Sequence, residues 1–177
     1  MEFDLLITQE ADKAKVFIAY GLVMNLVQEC ELSMIQTYYA IKMKKGEIKS
    51  FQDKSDLYSK RLSDTFGSLV SILSDQNYLD TDLIEKLRKI KKLRDNLAHT
   101  FFKENMPEIK TIEGRKLIIN GMGHSYDYID QVKIKLQSEM VKIFKEFNFT
   151  DQDIIKFVDS ETKNWLLSEK AGRLDHI

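Results

Sequence analysis

Arg94 and His99 are the residues of this chain whose types and setting point to chemistry. They bracket the segment Arg94-Asp95-Asn96-Leu97-Ala98-His99. Leu83, Leu87, Ile90, Leu97 and Phe101 recur at spacings of 4, 3, 7 and 4, which draws one narrow stripe along a helix. Arg94 falls in that stripe, between Ile90 and Leu97. An unpaired guanidinium is costly to bury. Arg94 must therefore meet a carboxylate inside the fold, or its stripe must face a cleft or a second subunit there. His99 fits two roles equally: a structural imidazole at a helix end, or a group that exchanges a proton near neutral pH. Its proximity to a charged residue in an apolar stripe singles it out. His124 and His176 have no such setting.

The approach to the motif is basic. Lys86, Arg88, Lys89, Lys91, Lys92 and Arg94 fall within nine positions, with no acid among them. A solvated helix face accounts for such a run. Leading straight into Arg94, it also suits a phosphate backbone. The formal net charge is only −1, although 31% of the residues are charged, so any nucleic-acid contact has to come from a local patch of this kind.

The elements that must position these residues read as helices. With one Pro and seven Gly in 177 residues, long uninterrupted helices are favoured, at least about 60% of the chain. A first helix is expected from about Thr8 to Lys44. Val16, Phe17, Ile18, Tyr20, Leu22, Val23, Leu26 and Val27 cover most of its circumference, the pattern of a central helix contacted on several sides. Lys44-Lys45-Gly46 reads as its basic last turn and a glycine stop. A second is expected over about Asp53 to Ser74, with Leu62, Phe66, Leu69 and Leu73 inward and a polar break at Ser74-Asp75-Gln76-Asn77. The motif helix should start at a cap on Asp80 or Thr81 and run to about Phe102. Pro107 disfavours helix at Met106, so a loop is expected there. The stretch from Glu108 to Asn120 suits either a short hairpin turning at Glu113-Gly114 or a helix capped by Thr111, with helix preferred. Gly121-Met122-Gly123 should hinge into a helix over about Ser125 to Phe147, whose inner face carries Tyr128, Val132, Leu136, Met140, Ile143 and Phe147. Thr150-Asp151 should cap a last helix to about Lys170, with Ile154, Ile155, Val158, Trp165 and Leu166. The expected fold is all-α: an up-down four-helix bundle with an extra C-terminal helix, in one domain over residues 1–177.

Composition excludes several classes. Apolar residues make up 43% of the chain, enough for a core and too many for a disordered segment. The single cysteine, Cys30, rules out an intrachain disulfide framework and a Cys-based zinc site, and suits a reducing compartment. The acidic start Met-Glu-Phe-Asp-Leu-Leu lacks the basic region of a signal peptide, and Val16 to Val27 is too short to span a bilayer. A soluble, cytoplasmic protein is expected, with no membrane association and with no metal or cofactor.

Arg, four residues, His resembles the signature of HEPN domains, helical bundles that include metal-independent ribonucleases of toxin–antitoxin, abortive-infection, CRISPR and other antiviral systems. Asp95 fills the polar position typical after the Arg. Thr65-Phe66-Gly67-Ser68-Leu69 is similar to a Thr-Leu-Gly-x-Leu segment of uncharacterised relatives. The resemblance implies a homodimeric endoribonuclease, or a non-catalytic HEPN-like binding or regulatory domain, with RNA and an antitoxin or regulatory protein as partners. It implies His99 as general acid or base, Arg94 as holder of the scissile phosphate, and Asn96 as a group that orients the imidazole or binds phosphate. Lys86, Arg88, Lys89, Lys91 and Lys92, with Asp95, would contact RNA, and the products would carry 2′,3′-cyclic phosphate and 5′-OH ends. Residues five apart on a straight helix point about 140° away from each other. A site shared between two chains, as in HEPN dimers, would bring such groups together. One position departs from the toxins paired with nucleotidyltransferase antitoxins: their Tyr two residues after the His is Phe101 here, which has no hydroxyl to adenylylate.

Overall fold

A computed structural model describes residues 2–48, 61 and 64–146, with side chains from Asp12 onward. It contains α1 (Glu2–Lys44), α2 (Phe66–Asp75), α3 (Thr81–His99), α4 (Phe101–Ile109) and α5 (Ile112–Lys145). Helix takes up 88% of the described residues, and no strand occurs among them. The expected last helix, from Asp151, and Phe147 lie outside the described residues, as does most of Asp53 to Ser63. Among the described residues no helix is long and apolar enough to cross a membrane.

The bundle is built on its two longest helices. α1, with 43 residues, lies chiefly along α5, with 34, while α2 and α3 pack on each other and on α1. α1 ends as its sequence suggests. Gly46 takes φ +70°, its N–H donates to the Met43 carbonyl at 2.9 Å, and the Glu47 N–H reaches the Lys42 carbonyl at 3.0 Å. This is the Schellman arrangement that satisfies the orphan carbonyls of a last turn.

α1 is central over only part of its length. Ser33 to Ile41 are buried without interruption, so this part is enclosed on every side. Nearer the N-terminus Val16, Val23, Leu26 and Val27 are buried, but Phe17, Ile18 and Leu22 are 53%, 61% and 55% exposed. An apolar run marks a surface that can be covered; the neighbouring helices here cover one side of it. Cys30 lies in the core, and burial pushes its thiol up to about 12.

α1 starts at Glu2, ahead of the expected Thr8, and other boundaries differ as well. The second helix is not continuous to Ser74. Thr65 is extended (φ −74°, ψ 158°) and its hydroxyl accepts from the Ser68 N–H, so a new helix starts at Phe66. The motif helix stops at His99 instead of running to Phe102, and Thr100 turns the chain into α4. Met106 and Pro107 are helical instead of forming a loop. Pro107 stands near the C-terminus of α4, so it removes one helical hydrogen bond in a turn that ends two residues later. No hinge occurs at Gly121-Met122-Gly123. Thr111 caps α5, accepting from the Gly114 N–H at 3.0 Å, and the helix runs unbroken through both glycines to Lys145. Burial of Ile118 and Met122 on either side of Gly121 anchors that stretch.

The turn from α4 to α5 is tight. A Cβ on Gly114 would lie 2.3 Å from the Glu108 carbonyl oxygen, so the backbones meet where only glycine fits. Arg115, buried beside it, donates from Nη1 to the Ile109 carbonyl at 2.9 Å and so caps the end of α4. This turn folds α4 back along α5 and sets the walls around the end of α3.

Candidate functional site

α3 places the motif by anchoring its first half. Asp80 caps it, its side chain accepting from the Leu83 N–H at 2.6 Å. Leu83, Ile84, Leu87 and Ile90 are buried, and Leu97 and Phe101 continue that face into the turn. The last turn is held from α1: the Tyr20 hydroxyl donates to the Leu97 carbonyl at 3.3 Å, and its ring stacks on Phe101 with centroids 5.2 Å apart. One of the carbonyls that every helix C-terminus leaves unpaired is thereby satisfied by another helix.

Arg94 keeps its place in the stripe, but the stripe is open there. Its side chain is 33% exposed, and its ion-pair partner among the described residues is the adjacent Asp95, with Nη1 to Oδ1 at 3.4 Å. Glu31 on α1 feels its charge: burial pushes the Glu31 carboxyl up, and Arg94 pulls it back down. The guanidinium therefore sits at the rim of the bundle, within the field of one half-buried carboxylate and open to solvent.

His99 is the last residue of α3 and is exposed. Among the described residues no side chain hydrogen-bonds to its imidazole. Asn96 is committed elsewhere: its amide nitrogen donates to the Thr100 hydroxyl at 2.8 Å and to Glu104 Oε2 at 3.1 Å. The side chain that stands three residues before His99 thus braces the bend into α4 and does not hold the imidazole.

The basic run is largely paired within its own helix. Lys86 bonds to Asp82 at 2.7 Å, Lys91 to Asp95 at 2.6 Å, and Arg88 to Glu85. The Lys91 ammonium and then Arg94 hold the Asp95 carboxyl below its ordinary value. Lys89 and Lys92 are exposed and have no side-chain partner among the described residues. Exposed pairs of this kind hold at most about 1 kcal/mol, so a phosphate can displace them. The Lys91 stem lies over Gly67 of the Thr65–Leu69 segment: a Cβ there would lie 2.8 Å from Lys91 Cε, the flexible end of that side chain.

Beside the last turn of α3 lies a cleft of about 350 Å³, walled by α3, α4 and α5. Leu97 and Phe101 contribute its apolar lining, and Asn96, Asn105, Glu108 and Ser125 its polar groups. Neither the cleft nor Tyr20, Glu31 and Glu104 was legible beforehand. Tyr20 read only as a member of the apolar α1 pattern, and nothing in the sequence singled out Glu31 or Glu104. Among the described residues no group of three His, Cys, Asp or Glu side chains is arranged to hold a metal ion. Comparison with protein-family models, curated proteins and solved structures gave no match to this chain.

Proposed function

We propose that this chain is a HEPN-like endoribonuclease of a toxin or antiviral defence module, acting as a homodimer in which two α3 C-termini furnish one composite Arg/His site. The observation that carries the reading is that an exposed His99, with no side-chain hydrogen bond among the described residues, and a partly exposed Arg94 stand near one helix end. Both groups are available to a ligand, and neither is consumed by the core.

RNA brings its own nucleophile. His99 would take the proton from the 2′-OH as its oxygen attacks phosphorus. The P–O5′ bond then breaks, and a second imidazole, that of the other subunit, would protonate the departing 5′-oxygen. Arg94 would neutralise the charge that builds on the non-bridging oxygens. The products would be a 2′,3′-cyclic phosphate and a 5′-OH. A positioned imidazole contributes about 10²–10⁴ to such a rate.

The test is incubation of the purified protein with single-stranded RNA in EDTA beside His99→Ala. Cleavage by the wild type and its loss in the variant are expected, with light scattering giving twice the 20.7 kDa chain mass. A monomer at micromolar concentration would remove the composite site.

A second reading is a HEPN-like domain that binds a partner without catalysis. It is favoured by the commitment of Asn96 to Thr100 and Glu104 and by the pairing of three cations of the basic run with intrahelical acids. RNA left intact by both wild type and His99→Ala, across several substrates and salt conditions, selects this reading.

A further inference from the structure

We infer that the cleft beside the last turn of α3 is a nucleobase pocket that selects a base by its hydrogen-bond donors, and that guanine is the base it fits best. This rests on the proposed RNA-directed reading of the motif, whose Asn96 forms one wall of the same cleft.

The argument is an inventory of donors and acceptors. Asn96 uses its amide nitrogen on Thr100 and Glu104, so what it has left is Oδ1, an acceptor. Ser125 donates its hydroxyl to the Gly121 carbonyl at 2.9 Å, which leaves the oxygen lone pairs. Glu108 is exposed and, when ionised, only accepts. Asn105 donates to the Phe101 carbonyl at 2.8 Å and keeps one N–H and its Oδ1. The polar rim is therefore rich in acceptors and carries a carboxylate, which repels a phosphate and calls for a ligand with N–H groups. The rest of the lining, including Leu97, Phe101 and Met122, is apolar and suits a flat heterocycle. A volume of about 350 Å³ falls among small-ligand pockets.

A base splayed out of a single strand meets both demands, since such bases are read on their Watson–Crick edge and held by apolar contact. Guanine alone among the four carries two adjacent donors there, N1–H and N2–H₂, and a carboxylate accepts both at once. Adenine and cytosine set their amine beside an acceptor, and uracil offers one N–H between two carbonyls. The cleft shares the last turns of α3 with the motif through Leu93, Asn96 and Leu97.

Two measurements test this, one without cleavage. Binding of guanosine, inosine and adenosine 5′-monophosphates is followed by amide chemical shifts on wild type, Glu108→Gln and Gly121→Phe. Gly121 lines the cleft, and a Cβ there meets nothing within 4 Å, so the larger side chain fills the pocket without a clash at its base. Guanosine monophosphate should shift Asn96, Asn105 and Ser125. Inosine monophosphate, lacking N2–H₂, should bind about 10-fold more weakly, and Glu108→Gln should erase that difference. Gly121→Phe should abolish binding while its thermal unfolding stays cooperative. Equal shifts from all three nucleotides, or shifts unaltered in Gly121→Phe, overturn the proposal. In the second measurement, oligonucleotides differing in one base are cut and the ends mapped. Cleavage with no base preference overturns the pocket and leaves the nuclease reading standing. Guanosine-selective binding lost in Gly121→Phe, without cleavage of any RNA, does the reverse.

Discussion

The two ends of α3 obey different physics. At its start Asp80 caps the helix, and Leu83, Leu87 and Ile90 are fully enclosed. At its end Arg94, Asn96 and His99 stand at or near the surface: Arg94 and Asn96 make polar contacts that water can replace, and His99 makes no side-chain hydrogen bond among the described residues. The first half supplies stability, and the second half spends little of it. A helix so divided can present Arg94 and His99 from a rigid base, because the enclosed Leu83, Leu87 and Ile90 fix its position.

Exchanging one residue at each end sharpens this contrast most. His99→Ala should lower RNA cleavage by about 10²–10⁴ while leaving the melting temperature nearly unchanged. Leu87→Ala should cost about 2–5 kcal/mol of stability by opening a cavity between α3 and the core. Denaturant titration and a gel-based cleavage assay on the same two proteins read both effects. A His99→Ala protein that unfolds as readily as Leu87→Ala would break the division.

The same contrast runs between two glycine sites of α5. Gly114→Ala pushes a Cβ into the backbone of Glu108 and should destabilise by about 1–3 kcal/mol, as overpacking does. Gly121→Ala and Gly123→Ala meet open space within a helix and should each stabilise by about 0.5–1 kcal/mol. Chemical denaturation of the three variants gives opposite signs if the turn from α4 to α5 is as tight as described.

Smaller still is the hold of α1 on the motif. Tyr20→Phe removes the hydrogen bond to the Leu97 carbonyl and keeps the ring that stacks on Phe101, so it should cost about 1 kcal/mol. Amide hydrogen exchange should rise in the last turn of α3 and not in its first.

The most delicate test is electrostatic. Burial raises the Glu31 carboxyl and the Arg94 charge lowers it, so Arg94→Gln should raise Glu31 further. A carboxylate whose folded value lies above its unfolded one favours the folded state when protonated. Its contribution is present below the unfolded value and lost as pH rises through the folded one. Glu31→Gln should therefore stabilise at neutral pH, and the gain should shrink as pH falls through the carboxylate range. NMR titration of Glu31 and thermal melts across that range check both statements.

The sequence by itself determined the all-helical class and several helix ends. Periodicity marked the core stripe of α3, and local chemistry placed the cap at Asp80, the stop at Gly46 and the cap at Thr111. Each of these rests on contacts within a few residues along the chain, so the chain alone carries the information. Only the tertiary structure decided the rest. That Pro107 stays helical, that the chain bends at Thr100 and that Gly121 and Gly123 lie in an unbroken helix depend on what packs beside them, which overrides weak local preferences. The openness of the stripe at Arg94, the field of Arg94 on Glu31 and the bond from Tyr20 to Leu97 join α3 to α1 across more than sixty positions of sequence. The cleft exists because the Gly114–Glu108 approach folds α4 back along α5. Such features belong to the space between helices, and a periodic pattern records only which face of each helix is apolar, not what stands opposite it.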